Sequence, residues 1–250
     1  MTIREAIKAQ EKSIKNRSFK ERLSFFWEYY ALKTFALLTA VIVVVAFIVS
    51  IVTNKDYALT CMFFGAEATQ TSEDYLSGFV QAADIDPQKY QLSVQMGPDV
   101  RMDQQISTEI YQSMETFIAM VAAGSMDCFA GKEDHFLYYA YMDYAVDLRT
   151  VLSPEELETL SPYLYYVDAE LIRQQEAADG GYADAYMQRS DPTKPEEMQD
   201  PVPVAVSLEA ATEDFKNSYR FTGTNLIGIC ANSKQKENAL AFFRYCLFPS

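Results

Sequence analysis

The sequence predicts an N-terminal transmembrane helix followed by a three-layer α/β domain, and three observations predict it. Residues Phe35 to Val52 form an apolar run of eighteen residues, interrupted only by Thr39 and Ser50 and free of charge. Charge is divided across that run: residues 1–34 carry a net +4 and residues 53–250 a net −18, together the chain's −14. Beyond it, short strand-like runs alternate with amphipathic helical stretches, the pattern of strands covered by helices. At about 1.5 Å per residue the run makes roughly 27 Å of helix, close to the hydrocarbon thickness of a bilayer. The positive-inside bias then places the N-terminus in the cytoplasm and the C-terminal domain outside the cell, anchored by a single pass in the cell membrane.

The expected organisation is a cytoplasmic basic segment (1–34), a transmembrane helix (35–52) and an extracytoplasmic domain (57–250). Phe19, Leu23, Phe26 and Tyr30 recur at helical spacing among Lys20, Arg22 and Lys33, as in a basic amphipathic helix lying on an anionic surface. Phe25, Phe26, Trp27, Tyr29 and Tyr30 fall where an aromatic belt meets the headgroups. A cleaved signal peptide fits poorly, because the charged region is too long and no small-residue cleavage site follows Val52. Only Thr53–Asp56 separate the run from the outer domain, so that domain is expected close to the bilayer.

In chain order, the apolar run Tyr57–Phe64 reads as a strand ending at Gly65. Thr71-x-x-Asp74 resembles a capping box opening a helix with Tyr75, Leu76, Phe79 and Val80 on one face. Tyr90–Met96 alternates as a second strand, closed by Gly97-Pro98. Ser107–Ala123 repeats Ile110, Met114, Phe117, Ile118 and Val121 at helical spacing and stops at Gly124. Met126–Ala130 is a short buried strand, and Phe136, Leu137, Tyr141 and Tyr144 mark the next helix. Ser153-Pro154-Glu155-Glu156 is an N-cap with proline at the first helical position. Ala178–Asp200 is an acidic, glycine- and proline-containing loop. Pro201–Leu208 and Asn225–Ala231 read as strands, and Lys236–Phe248 as a closing amphipathic helix. In a mostly parallel sheet, ligands sit beyond the carboxyl ends of the strands. The loops expected there are Gly65–Thr71, Gly97–Asp99, Ala130–Asp134 and Asn232–Ser233.

The acidity of the outer domain excludes nucleic acid as a partner, since no basic stripe is present. The four cysteines, Cys61, Cys128, Cys230 and Cys246, are all in that domain. Three disulfide pairings are open to them, but their apolar settings favour buried free thiols. No metal-ligand spacing, phosphate-cradling glycine loop or EF-hand occurs, so no metal or cofactor is expected. His135 is the single histidine and reads as a solvated or capping residue beside acids, which leaves nucleophilic triads without a base. No enzymatic activity is expected. Nine of the seventeen tyrosines lie between Tyr138 and Tyr186, offering flat faces with polar tips. Tyr138, Tyr139 and Tyr163 are the candidates for an exposed binding platform, and the acids Glu67, Asp99 and Glu133 for polar contacts at the strand ends.

The segment Ala122-Ala-Gly-Ser-Met-Asp-Cys-Phe-Ala-Gly131, followed by an aromatic helix and Ala145-Val-Asp-Leu148, resembles extracellular solute-binding proteins of ABC transporters. Ile229-Cys-Ala-Asn-Ser-Lys234 and the helix after it are similar to that family's closing strand and helix. The basic segment, Phe26-Trp-Glu-Tyr-Tyr30 and an anchor with almost no linker resemble single-pass membrane proteins of Gram-positive bacteria that carry such a domain. The resemblance implies a reduced type II periplasmic-binding-protein lobe. It further implies a membrane-anchored, non-enzymatic binding domain for a small solute such as a sugar, peptide or cation. The alternative is an interaction or scaffold subunit of a membrane complex, which keeps the fold without binding a ligand and pairs with a membrane protein through the anchor and the 178–200 loop.

Overall fold

The computed structural model describes residues 18–29, 31–53, 55–102, 107–177 and 182–249. The chain divides into two compact units, Met1–Lys55 and Asp56–Ser250. In the first, α1 (Phe19–Tyr29) is followed by α2 (Ala31–Thr53). All side chains from Leu32 to Phe47 on α2 are exposed, most of them large and apolar. Among the fully described residues no helix is long and apolar enough to cross a membrane; the side chains of α2 beyond Phe47 lie outside them. On α1, Phe19, Lys20, Leu23, Phe26 and Trp27 are exposed, and the Trp27 ring lies 5.9 Å from that of Phe35. The rest of the expected basic face and belt, namely residues 1–17, Tyr30 and the side chains of Arg22, Phe25 and Tyr29, falls outside the described residues.

The second unit is built on a six-stranded sheet. Its strands are β1 (Asp56–Phe64), β3 (Tyr90–Gly97), β4 (Cys128–Lys132), β5 (Leu164–Asp168), β6 (Pro201–Ser207) and β8 (Asn225–Ile229), in the order β3-β1-β4-β8-β6-β5. β3, β1 and β4 run parallel, whereas β8, β6 and β5 each pair antiparallel with their neighbours. The sheet is therefore mixed, not mostly parallel as expected. A two-stranded ladder joins β2 (Glu67–Ala68) to β7 (Tyr219–Arg220).

Strand alternation sends successive residues to opposite faces, and both faces are buried, which makes three layers. Leu59, Cys61 and Phe63 of β1 pack with Cys128, Ile227 and Ile229 under helices α3 (Ser72–Ala82), α9 (Glu213–Ser218) and α10 (Lys236–Leu247). Met62 and Phe64 pack with Phe129 and Leu226 under α4 (Thr108–Ala122), α5 (Glu133–Tyr141) and α8 (Tyr182–Met187). All four cysteines are buried with free thiols, as small hydrophobes of this core.

The turn Gly124–Asp127 has a structural explanation. Gly124 sits at φ +65, and a Cβ there would come within 2.7 Å of the Asn232 carbonyl oxygen. Asp127 is buried, and its carboxylate accepts from the Thr60 backbone N–H at 2.7 Å and from Ser233 Oγ at 2.6 Å. One side chain thus ties β1, the entrance to β4 and the exit of β8.

Helix α6 (Pro154–Leu160) begins with a full capping box, in which Glu156 accepts from the Ser153 N–H and Ser153 Oγ from the Glu156 N–H. Glu156 also receives Arg244 of α10 in a two-pronged contact at 2.6 and 2.9 Å. The box expected at Thr71 does not form. Thr71 has helical backbone angles, and its hydroxyl donates to the Asn217 carbonyl instead.

The 178–200 stretch is also not one loop. Residues 178–181 lie outside the described residues, but α8 follows, and Tyr186 is buried with the Arg189 guanidinium 3.9 Å above its ring. The rest is pinned to β5, where no strand is expected from the sequence. The Asp168 carboxylate accepts backbone N–H groups from Glu170 and Leu171 of α7 (Ala169–Ala177) and from Gln199 and Asp200. Burial alone would raise its pKa, but these four donors hold it below the ordinary carboxylate value.

Candidate functional site

The chain leaves β1 through α3 to reach β3 on one side, then crosses back through α4 to β4 on the other. The connections after β1 and β4 therefore diverge, opening a crevice at the carboxyl ends of the parallel strands. A cleft of about 820 Å³ lies there, within the size range of small-molecule sites. Its walls come from Gly65 and Glu67 after β1, Asp99 after β3, Leu208 and Glu209 after β6, and the segment from Phe215 to Asn225.

Local geometry explains each wall. Gly65 adopts φ +71 with its N–H on the Gly97 carbonyl at 3.1 Å, which binds the ends of β1 and β3 together. A Cβ on Gly65 would approach Asp99 to 3.0 Å. Asp99 accepts from Lys132 Nζ, at the end of β4, at 2.6 Å. α9 is capped by Thr212, whose Oγ1 accepts the Phe215 N–H, and its last turn carries Lys216. Lys216 Nζ donates to the Glu209 carbonyl at 3.0 Å and to Glu213 Oε1 at 3.3 Å. Asn225 is buried and donates to the carbonyls of Thr222 and Gly223, closing the turn into β8. Phe215 and Tyr219 are buried and Phe221 half-buried, giving an apolar floor; the Phe215 and Phe221 rings stack 6.2 Å apart. Glu67, Glu209 and Arg220 stand exposed at the rim without a hydrogen bond or ion pair from their side chains to any described residue.

Of the residues singled out from sequence, Glu67 and Asp99 line this cleft. Glu133 does not. It follows β4 directly, its N–H donates to the Thr224 carbonyl at 3.3 Å, and its half-buried carboxyl is raised by burial, partly offset by Arg189, with Asp134 and Asp191 adding to the rise. The tyrosine platform is corrected. Tyr139 is fully buried among Phe64, Phe117 and His135, so it is a core residue. Tyr138 is half-buried with its ring 5.5 Å from Tyr186, and Tyr163 is half-buried against the opposite core layer. Neither lines the cleft.

His135 is likewise corrected: it is buried, not solvated, with its ring 4.6 Å from that of Phe64. Its Nε2 has no partner among the described residues, and burial lowers its pKa to about 3, against a small opposing pull from Asp99. The Asn232–Ser233 loop is the last correction. Because β8 runs antiparallel to β4, its carboxyl end lies with the amino ends of the parallel strands, beside Asp127, and its amino end at Asn225 faces the cleft.

Sequence reasoning misses Lys216, Arg220 and the aromatic floor, which lie in 209–224 between two expected strands. A signal was present in Thr212-Glu213-Asp214, a capping residue followed by two acids. Two cations four residues apart, in a domain poor in them, were a second signal.

No family model, no curated protein and no solved structure matches this chain.

Proposed function

We propose that this chain is a membrane-anchored, extracytoplasmic domain that binds a small solute without transforming it, in the manner of a reduced type II periplasmic-binding-protein lobe serving an ABC-type transporter. The observation that carries this reading is the cleft at the divergence of β1 and β4, where an α/β sheet accepts ligands. The resemblance around Gly124–Asp127 supports it, as does the apolar helix α2, whose exposed side chains suit lipid. The one imidazole of the chain is buried against Phe64 and Tyr139 and is not among the residues that line the cleft, which favours binding over turnover.

Thermal unfolding of the purified full chain in detergent, against sugars, amino acids, short peptides and divalent cations, tests the proposal. A ligand of the folded state present at a hundredfold its Kd adds about 2.7 kcal/mol, a readable rise in Tm. A reproducible shift with one class supports the reading. A flat panel from a well-folded protein favours an interaction subunit instead, consistent with β3 forming an edge of the sheet that a partner strand could extend.

A further inference from the structure

The charges around the cleft sort into those already satisfied and those that are not. Asp99 is neutralised by Lys132, and Lys216 is held by Glu213 and the Glu209 carbonyl. Three remain. Glu67 and Arg220 sit at paired positions of the β2–β7 ladder, yet no ion pair joins their side chains, and Glu209 lines the same cleft with no partner for its carboxylate among the described residues. Opposite charges at paired ladder positions ordinarily attract. Here both are exposed at the rim of the same cleft and available to a third party.

The unsatisfied set is two carboxylates and one guanidinium, a net −1. A ligand that matches it carries one carboxylate and two cationic groups, a net +1. The half-buried Phe221 ring, stacked on Phe215, offers an apolar floor that suits a short methylene chain. A bare metal ion fits badly, since among the described residues no group of three His, Cys, Asp or Glu side chains is placed to hold one. A dianionic solute would meet two uncompensated carboxylates. A neutral sugar would make no use of the three charges.

We propose that the cleft takes a basic amino acid, with its carboxylate on the Arg220 guanidinium and its two cationic groups on Glu67 and Glu209. This rests on the solute-binding reading above and names the class of solute. Arg220 supplies the planar fork that matches a carboxylate through two parallel hydrogen bonds.

Isothermal titration of the full chain in detergent with L-lysine, L-glutamate and maltose decides it, at low and at moderate salt. The expected result is binding of L-lysine that weakens as salt is added. It should weaken at least about tenfold in Arg220→Ala and in the Glu67→Gln/Glu209→Gln double variant. These side chains have no partners among the described residues, so the variants keep the fold, which circular dichroism checks. L-lysine binding that is unchanged in both variants overturns the placement. Preference for L-glutamate or maltose overturns the basic-amino-acid assignment while leaving the solute reading standing. No heat from these three, with a flat unfolding panel, removes the solute reading itself.

Discussion

His135 shows how burial decides a residue's chemistry. Surrounded by acids in sequence, it is nevertheless enclosed by Phe64 and Tyr139, and its pKa falls to about 3. The unfolded chain binds a proton at this histidine below about pH 6.5, whereas the folded state does not until about pH 3. Between those limits the unfolded state holds more protons, so stability falls as pH is lowered, by up to about 1.4 kcal/mol per pH unit. Urea unfolding at pH 7, 6 and 5 should record this slope, and His135→Phe should flatten it between pH 6.5 and 5, where ordinary carboxylates stay ionised. An unchanged slope in the variant would mean that the imidazole reaches water. Asp127 is also buried, and its side-chain oxygens find partners in the Thr60 N–H and Ser233 Oγ.

At the scale of elements, helix ends and strand ends do most of the positioning. The box at Ser153–Glu156 starts α6, and the same Glu156 grips Arg244, so one cap also docks α10 onto its neighbour. Arg244 beside it is the largest influence on the Glu156 carboxyl and holds it below its ordinary value. Ser153→Ala removes the acceptor for the Glu156 N–H and should cost about 1 kcal/mol in denaturant unfolding, with the m-value unchanged. Glu156→Gln should cost more than a simple surface substitution, since it also breaks the two-pronged contact. Thr71 shows the limit of such motifs: the same spacing yields no cap, because its hydroxyl is committed to Asn217 of α9.

For the whole molecule, the question is how the two units relate to the membrane. The charge split of +4 before the apolar run and −18 after it leads to a testable topology. The four native thiols are buried, so engineered surface cysteines are the reactive ones toward a maleimide. Glu73→Cys, exposed on α3, should label in intact cells with a membrane-impermeant maleimide, and Lys20→Cys, exposed on α1, only after lysis. Labelling of Lys20→Cys in intact cells would reverse the proposed orientation. Labelling of neither before lysis would place the α/β domain inside the cell.

The sequence by itself determined many of the elements and the faces they bury, though not β5 or α9. Short strand-like runs, alternating in β3 and apolar throughout in β1, became β1, β3, β4, β6 and β8, and the 3.6-period stripes became α4 and α10, each within a residue or two of expectation, because local pattern is written in consecutive side chains. The cysteines in apolar runs became core thiols for the same reason. Only the tertiary structure decided strand direction and hence the site. With β8 antiparallel, Asn225 and not Asn232 faces the cleft. Packing of α5 against the sheet buried Tyr139 and His135 together, which a count of tyrosines or acids along the chain does not show. Arg220 and Glu209 line one cleft with Glu67 across about 150 residues of chain, an arrangement that depends on how β6, β7 and β8 close onto β1. Local pattern records burial, whereas convergence of distant charges is a property of the assembled sheet.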